Sequence, residues 1–328
     1  MDHEPARPAT LHDVAREAGV AVSTASRALS NPGRVSAGTR AHVLDVARRI
    51  GYRPNRLAQA LPSGRTRMLA LLVPDITNPH HFALIRGAEI QAAAAGYTLV
   101  LGDGQESPAL EVGHADRLGS FVDGFVLISP RMDDSALREL RARHPVVLFN
   151  RTMAGVPSVV VDAVDAARQI VEHLHALGHR RLAYLGGPRT SWIDARRWQA
   201  LEDQAARRGI AALRLGPFEP VLEAGAAAAD AGLASGVGAL VAFNDLLAIG
   251  VLQRLERRGV AVPGRISVVG ADDIFGAAFC HPPLTTVASP AERAGRLLVD
   301  MLTGVADAAE LVLPCPLVAR ESTGPAPG

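Results

Sequence analysis

The stretch TLHDVAREAGVAVSTASRALSNPGRVS, residues 10–36, carries two short apolar faces at helical spacing, separated by a glycine. Thr10 and Asp13 form a capping pair for a first helix, which ends near Gly19. A second helix follows and is ended by Asn-Pro-Gly, and Ser36 can cap a third helix. The pattern predicts three short helices, the first two joined by a tight turn.

The second of these helices has an alanine-rich inner face and a polar outer face. Two short helices joined by a glycine turn are typical of a helix-turn-helix, whose second helix enters the DNA major groove. On its outer side Arg27 can pair with guanine, Ser23 can bond a base edge and Val22 can touch a thymine methyl group. The short hydroxyls suited to phosphate oxygens are Thr24, Ser26, Ser36 and Thr39. The alternative is an exposed polar helix without a partner.

The charge is unevenly distributed along the chain. Residues 1–67 hold 11 arginines against 5 acidic residues, a net charge of +6, whereas the remainder holds 23 against 28. A basic head on an acidic body favours a polyanionic partner, although a solvated basic surface is the simpler alternative. All 34 basic residues are arginine. A phosphate-binding Walker lysine and a Schiff-base lysine are therefore excluded.

The length and composition predict a globular protein of two or three domains, with 328 residues and a hydrophobic fraction of 48%. The amino-terminal residues form no apolar signal segment, and no apolar run reaches the length of a membrane span. Cys280 and Cys315 are the two cysteines, which is typical of a reducing compartment. We therefore expect a cytoplasmic protein without membrane contact.

From Met68 onward, short apolar runs alternate with longer helical stretches. The runs MLALLVPD, YTLVLGD, GFVLIS, PVVLFN, SVVVD, RLAYLGG, ALVAFND and ISVVGADD predict eight strands of parallel sheet covered by helices. Polar residues recur at the carboxyl ends of these runs, where α/β sheets bind ligands. They are Asp75, Asp103, Asn150, Asp162, Asn244 and Asp272. A loop or helix cap is the simpler reading of Asp103.

The head, TLHDVAREAGVAVSTASRALSNPGRVSAGTR followed by GYRPNRLAQAL, resembles the DNA-binding head of the lactose and galactose repressor (LacI/GalR) family. The resemblance implies base contacts at Val22, Ser23 and Arg27. It implies backbone contacts at Thr24, Ser26, Thr39 and Tyr52, and a minor-groove wedge at Leu61 in a hinge helix. Alternatively, Leu57 and Leu61 dock the linker on the body. Ala21 departs from the family's usual capping serine, at a cost of about 1 kcal/mol.

The body is similar to the two-lobed, periplasmic-binding-protein-like domain of the same family. GYTLVLGD and VDGFVLIS resemble its first lobe, and GHRRLAYLGG and VAFNDLLAIGVLQRLERRGVAVPGRISVVGADD resemble its second. The resemblance implies an effector bound between the lobes, for which the candidate residues are Asp75, His81, Phe82, Asn150, Trp192, Arg197, Asn244 and Asp272. Arginine with aspartate and asparagine suits sugar hydroxyls. Trp192 either stacks on the ligand or covers the loop.

Two departures from the family pattern indicate a reshaped cleft. RRWQALEDQ stands where the family commonly has Arg-Gly-Phe, and Ala271 replaces a common aromatic residue. The predicted fold is an all-α helix-turn-helix head with an α/β two-lobed body. The expected domains are residues 1–54 for DNA binding, 55–65 for the hinge helix and linker, and 66–328 for effector binding and dimerisation. Lobe one takes about 66–162 and 289–316, and lobe two about 163–288 and 317–328.

The combined prediction is a transcriptional regulator, most simply a repressor, that binds a near-palindromic double-stranded operator as a homodimer. Its effector would be a small molecule, a sugar first and a nucleobase second. A two-lobed binding protein of transport type would need a signal peptide and no basic head. A sugar-modifying enzyme ranks third, because GxSxG, HExxH and Rossmann motifs are all missing.

We expect no cofactor and no metal, since nothing completes the HxHxxxH pattern of His173, His175 and His179. The tail ESTGPAPG has no leucine heptads for a tetramerising coiled coil.

Overall fold

The computed structural model describes residue 7 and residues 9–30, 32–52 and 65–327. The chain divides into two compact units, residues 1–66 and 67–328, called the head and the body below. Leu61 and most of the predicted hinge segment lie outside the described residues.

The head consists of the three predicted helices, α1 (Leu11–Glu17), α2 (Val22–Ser30) and α3 (Ala37–Arg49). The capping pair at the start of α1 is confirmed: the Thr10 side chain accepts from the Asp13 N–H, and the Asp13 carboxylate accepts from the Thr10 N–H. The Ser36 side chain caps α3 in the same manner by accepting from the Thr39 N–H. A buried core joins the helices and is made of Val14, Ala15, Ala18, Ala25, Ala28, Val43, Val46 and Ala47.

The glycine turn between α1 and α2 is a Schellman motif. Gly19 has φ +64°, its N–H donates to the carbonyl of Arg16, and the Val20 N–H donates to the carbonyl of Ala15 at 3.0 Å. Glycine adopts this left-handed conformation without the penalty that a Cβ would add. The motif satisfies two carbonyls of the last turn and turns the chain into α2.

The first lobe of the body is built on one six-stranded parallel sheet in the order β11-β5-β4-β3-β1-β2. The strands are β1 (Met68–Val73), β2 (Thr98–Asp103), β3 (Phe125–Ile128), β4 (Val146–Phe149), β5 (Ser158–Val161) and β11 (Glu310–Leu313). In the register, Leu71 lies opposite Leu101 on one side and Val126 on the other. The helices of this lobe are α4 (His80–Ala94), α5 (Pro108–Leu118), α6 (Asp134–Arg143) and α11 (Ala291–Thr303).

The second lobe contains a four-stranded parallel sheet in the order β7-β6-β8-β9. The strands are β6 (Arg181–Leu185), β7 (Ala211–Leu215), β8 (Ala239–Ala242) and β9 (Ser267–Val269). The helices are α7 (Ala163–Ala176), α8 (Trp192–Arg207), α9 (Gly225–Ala234) and α10 (Asp245–Arg257), and a short 3₁₀ turn spans Phe275–Ala278. The two-lobed α/β body is thus as predicted.

The chain passes between the lobes at three places, which we call the crossovers. They are residues 161–163, 285–291 and 313–317. In the last two crossovers and just beyond, β10 (Thr286–Val287) pairs antiparallel with β12 (Leu317–Val318). The Gln169 side chain on α7 accepts from the Leu317 N–H at 2.9 Å and donates to the Cys315 carbonyl. The crossovers are therefore bonded to one another and to the second lobe.

All eight strands predicted from apolar runs are present, but four strands escaped the prediction. β7 and β11 lie at the edges of their sheets, where most of their residues are exposed or half-buried, and their apolar runs, residues 211–213 and 311–313, are each three residues long. β10 and β12 contain two residues each, which is too short for a periodic signal.

A search of the described residues for helices long and apolar enough to cross a membrane found none.

In the first lobe, α4 and α11 approach so closely that glycine is required at the contact. A Cβ added to Gly87 would overlap the carbonyl of Glu292, and one added to Gly295 would overlap the carbonyl of Leu84. Both obstacles are backbone atoms, which cannot move as the end of a side chain can.

We predict that Gly87→Ala lowers the free energy of unfolding of the body by about 1–3 kcal/mol, because the methyl group forces the two helices apart. Gly113→Ala on α5 is the matched control. Its new Cβ meets only the far end of the Arg117 side chain, so stability should stay the same or rise slightly. Urea denaturation measures the free energy of unfolding of both variants. An equal change in the two would contradict the requirement for glycine where α4 and α11 meet.

Candidate DNA-binding helix and interlobe cleft

On α2, the structure exposes two of the three predicted base-reading residues. Ser23 and Arg27 are both exposed and lie one turn apart on the same face. Within the part of the chain that the structure describes, Arg27 has no hydrogen-bond or ion-pair partner. Val22 is half-buried and packs against the head core, so its side chain offers only part of its surface outward. Thr24 and Ser26 are half-buried.

The remaining predicted backbone contacts lie on or beside α3. The hydroxyls of Ser36 and Thr39 share a hydrogen bond of 2.8 Å, and the Ser36 hydroxyl also caps the helix. Tyr52 follows α3 and packs against the head core, and burial raises the pKa of its hydroxyl. That hydroxyl stays protonated at neutral pH and can donate to a phosphate oxygen.

In the body, a polar pocket lies between the lobes at the carboxyl ends of both sheets, with about 380 Å³ of empty space that is partly open to solvent. We call it the cleft pocket. From the first lobe it is lined by Pro74, Asn78, His80, His81, Glu106, Ser129, Arg131 and Asn150, and from the second by Ile193, Arg197, Pro220, Phe243, Asn244 and Asp272. Five predicted effector residues therefore meet here: His81, Asn150, Arg197, Asn244 and Asp272.

Arg197 and Asp272 form an ion pair in the wall of this pocket. The Arg197 Nη2 lies 3.2 Å from the Asp272 Oδ1, and the Arg197 Nη1 donates to the carbonyl of Phe243 at 2.5 Å. The guanidinium also lies 5.3 Å from the centroid of the Phe243 ring. The side chain of Asp272 is 6% exposed, so this carboxylate depends on its partner for charge compensation.

Two buried histidines, His80 and His81, line the first-lobe side of the cleft pocket, and His80 lies near Asp272. The His80 Nδ1 lies 3.7 Å from the Asp272 Oδ1, which is too long for a hydrogen bond. Burial lowers the pKa of His80 against the opposing effect of Asp272, and burial with the charge of Arg131 lowers the pKa of His81 further. Both rings are thus neutral at pH 7. Neither Nδ1 atom has a hydrogen-bond partner among the described residues.

A second buried ion pair forms the opposite wall. Arg131 donates to both carboxylate oxygens of Glu106, at 2.6 and 3.0 Å, and to the carbonyl of Ser129 at 2.8 Å. Glu111 on α5 fixes the loop from behind, since its carboxylate accepts from the N–H groups of Arg131 and Met132. Burial raises the pKa of the Glu111 carboxyl to about 7 despite these two bonds.

Four non-glycine residues of the cleft pocket have positive φ angles. They are Glu106 (+55°), Ser129 (+43°), Asn150 (+53°) and Asp272 (+119°). Such conformations cost free energy in an L-residue and persist where the surrounding structure holds them. Their concentration at one pocket is a reason, independent of any sequence motif, to take it as the candidate functional site of the body.

The two asparagines of the cleft pocket also shape the backbone around it. The Asn244 Oδ1 caps α10 by accepting from the Leu247 N–H, while its Nδ2 donates to the carbonyl of Pro220. The Asn150 Oδ1 accepts from the Val161 N–H at 3.2 Å, next to the first crossover. Both residues are therefore positioned by bonds that leave part of their polar surface for a ligand.

Three predicted effector residues are not brought into the cleft pocket, and these placements are corrected here. The Asp75 carboxylate accepts from the N–H and hydroxyl of Thr77, so it closes a local turn. Phe82 is 51% exposed, because successive helical residues point about 100° apart and His81 takes the inward position. Trp192 lies beneath the guanidinium of Arg196, 5.4 Å from its ring centroid, and its neighbour Ile193 lines the pocket instead.

The sequence prediction missed His80, Glu106 and Arg131. Apart from the residues implied by the family resemblance, the candidates are polar residues at the ends of predicted strands, whereas Glu106 and Arg131 come three residues after β2 and β3. The segments GDGQE and ISPR did offer a signal, namely charged residues in the loops that follow parallel strands. Both His80 and His81 line the cleft pocket, whereas the family resemblance implies only His81.

Two histidines of the HxHxxxH pattern form hydrogen bonds within the second lobe. The His173 Nε2 lies 2.8 Å from the Thr323 hydroxyl, and the His179 Nε2 lies 3.1 Å from that of Ser267. A search of the described ranges for three or more clustered metal-binding side chains found no group.

Protein-family models match part of the head and part of the body. Residues 10–55 match the model of the bacterial regulatory proteins of the lacI family, and residues 171–323 match that of the periplasmic binding protein-like domain. These models thus recognise the head and most of the second lobe, together with α11 and β11 of the first lobe.

Curated relatives match over nearly the whole chain. The HTH-type transcriptional repressor CytR of Escherichia coli (strain K12) is 33% identical over 330 residues, 96% of each chain. The HTH-type transcriptional regulator DegA of Bacillus subtilis (strain 168) is 33% identical over 337 residues, 96% of this chain and 98% of its own.

Solved structures share the fold over the same extent. The Lac repressor dimer bound to operator and the anti-inducer ONPF superposes with a TM-score of 0.86 and 27% identity, covering 97% of this chain and 100% of that one. A complex of the transcriptional regulator CelR with cellobiose superposes with a TM-score of 0.69 and 30% identity, covering 96% and 99%.

The pKa of Glu111 predicts how stability changes with pH. Its folded-state pKa of about 7 lies above the ordinary 4.5, so between these values the folded body keeps a proton that the unfolded chain loses. The contribution of Glu111 therefore falls as pH rises from about 4.5 to 7. In Glu111→Gln a neutral amide oxygen can still accept from both N–H groups. We expect the free energy of unfolding of this variant, relative to that of the parent protein, to rise by up to about 3 kcal/mol as the pH increases across that interval.

Urea denaturation at a series of pH values measures this difference. Glu111→Ala is the control, and it should lower stability at every pH because two buried N–H groups lose their acceptor. If the difference in the free energy of unfolding between Glu111→Gln and the parent protein does not change with pH, burial does not raise the pKa of Glu111.

Proposed function

The chain belongs to the LacI family of bacterial regulatory proteins and is a DNA-binding transcriptional regulator, and from this premise we propose that it represses transcription under the control of a sugar. One observation carries the proposal: one chain combines a basic head that exposes Arg27 on α2 with a body whose buried ionic and amide groups converge on the cleft pocket.

In this proposal, α2 lies in the major groove of the operator. Arg27 and Ser23 read base edges, and the outer part of Val22 touches a thymine methyl group. Phosphate oxygens are held by Thr24, Ser26, Ser36, Thr39 and Tyr52. The exposure of Ser23 and Arg27, together with the alanine core beneath them, supports this arrangement.

Each expected domain is assigned one of the proposed functions. Residues 1–54 bind DNA, residues 55–65 form the hinge helix with Leu61 in the minor groove, and residues 66–328 bind the effector and dimerise. A repressor of bacterial genes acts where chromosomal DNA is found, so we place the protein in the cytoplasm.

A homodimer is the proposed functional form, because a two-fold dimer matches a near-palindromic operator. The similar Lac repressor is a dimer on its operator. In this chain, Phe275 and Phe279 are 63% and 71% exposed and lie with ring centroids 5.7 Å apart. An exposed aromatic pair of this kind is typical of a surface that a second subunit covers.

The effector is proposed to be a sugar bound in the cleft pocket. Arg197, Asp272 and the amide groups of Asn150 and Asn244 offer donors and acceptors in a partly dry site, which suits hydroxyl groups. The similar CelR was solved with cellobiose. Binding would alter the closure of the lobes and couple to operator affinity by about 1–3 kcal/mol, as is typical of allostery.

We expect Arg27→Ala to weaken operator binding by about 1–3 kcal/mol and to relax sequence preference, because a bidentate contact to guanine is lost. The operator is first selected from random DNA with the full chain, and gel-shift titrations then compare it with a scrambled site. Arg49→Ala removes the same charge from the exposed last turn of α3 and should weaken binding to the operator and to the scrambled site alike. Unchanged preference in Arg27→Ala would show that α2 does not read the bases.

Asp272→Asn should abolish the effector's influence while DNA binding without effector is retained. Asparagine has the same size and shape as aspartate, so the change removes the charge and makes no new demand on the backbone, which the parent protein already holds at positive φ. The effector itself is identified by a thermal-shift screen of sugars and nucleobases.

Asp273→Asn is the matched control. Asp273 also has a positive φ and pairs with Arg320, but it does not line the cleft pocket. An equal loss of response in both variants would argue against a ligand contact at Asp272, and loss of DNA binding would indicate a structural role.

A further inference from the structure

Beside the cleft pocket lies a second, largely apolar pocket of about 550 Å³ of empty space, part of it open to solvent. We call it the crossover pocket. Alanines of α7 and the ends of β8 and β9 form much of its wall, including Ala166, Ala242 and Ala271. These small side chains leave the space unfilled, whereas the surrounding core of the second lobe is densely packed.

All three crossovers contribute to this pocket. Val161 and Ala163 come from the first, Val287 and Ser289 from the second, and Cys315 from the third. A group that occupies the pocket therefore touches each segment that must change when the lobes move. Its contact energy would differ between open and closed lobes, which is the condition for shifting that equilibrium.

The crossover pocket and the cleft pocket share two residues, Arg197 and Asp272. The ion pair between them is consequently the boundary of both spaces. A single ligand can place polar groups on the ion pair from the cleft side and extend an apolar group past it. Because the two pockets share this wall, the apolar space of the crossover pocket lies directly beyond the ion pair that a ligand in the cleft pocket would contact.

The chemistry of the crossover pocket is neutral beyond that ion pair. Burial raises the pKa of the Cys315 thiol to about 11, so the sulfur is uncharged at neutral pH. The Ser289 Oγ is buried and has no hydrogen-bond partner among the described residues. The pocket thus offers apolar contact and one free hydroxyl, which suits an aromatic ring or a branched alkyl group better than a second polyol.

We propose that the effector has two parts, a hydroxyl-bearing part in the cleft pocket and a compact apolar ring or alkyl group in the crossover pocket. The proposal rests on the proposed function, since it deepens the identity of the same effector. It predicts that a glycoside with an apolar aglycone binds more tightly than the corresponding sugar with a methyl group.

The first experiment tests the crossover pocket without assuming any sugar. Phenol binding to the full chain is measured by saturation-transfer NMR, with Ala166→Leu to fill the pocket and Ala163→Leu as a second block from the same helix. Ala176→Leu is the matched control, because Ala176 is exposed on α7 and does not line the pocket. Phenol should bind the parent and the control and should not bind either blocked variant.

The second experiment joins the two pockets. Methyl and phenyl β-D-glucosides, galactosides and ribosides are compared in binding titrations. In at least one series the phenyl member should bind about tenfold more tightly or better, because the ring leaves water for an apolar site. The ratio should fall toward one in Ala166→Leu and persist in Ala176→Leu.

The outcomes separate the two proposals. Absence of phenol binding to the parent protein, or equal binding to parent and both blocked variants, overturns the crossover pocket whatever the sugar result. Equal affinity for methyl and phenyl members overturns the two-part effector while the sugar effector stands. Phenol binding that both blocks abolish, with no glycoside bound at all, contradicts the sugar effector and supports the crossover pocket as a site.

Discussion

The ion pair between Arg197 and Asp272 is the interaction on which the body's functional region depends. Both groups are largely buried, and a buried charge without a partner costs several kcal/mol. The pair also affects its surroundings: burial and the charge of Asp272 raise the pKa of nearby Asp245 to about 7. A ligand that enters the cleft must preserve these bonds or replace them with its own. Hydroxyl groups can do so, whereas a purely apolar molecule would leave two charges uncompensated.

Parallel sheets explain how strained residues can persist around that pair. Each strand of a lobe is bonded to its neighbours, and all strands of a sheet deliver their following loops to the same edge. Ser129 and Asn150 adopt positive φ angles directly after β3 and β4, where the backbone is bonded on both sides. The sheets therefore compensate for local strain, and polar side chains are aimed into the cleft without relaxing away from it.

The sequence predicted the lobes better than the site, for a physical reason. Most of the eight predicted strands are buried along nearly their whole length and therefore read as continuous apolar runs, and Asn244 and Asp272 could be placed because they follow such runs. Arg131 and Glu106 lie in loops, where side-chain direction depends on backbone angles that have no periodic signal. Phe82 and Trp192 were misplaced for a related reason: a helix brings only part of its circumference to a given surface, and packing across the lobe decides which residues lie there.

The head shows how a weak point in a helix can be linked to DNA binding. Thr10 and Ser36 cap α1 and α3 with side-chain oxygens, whereas Ala21, which precedes α2, has none to offer. The Thr24 N–H in the first turn of α2 donates to the carbonyl of Ala21, but Ala21 supplies no side-chain acceptor of the kind that caps α1 and α3, at a cost of about 1 kcal/mol. A DNA phosphate near this end would supply the missing oxygen and would be favoured by the helix dipole. Part of the binding free energy would then complete the first turn of the helix that reads the bases.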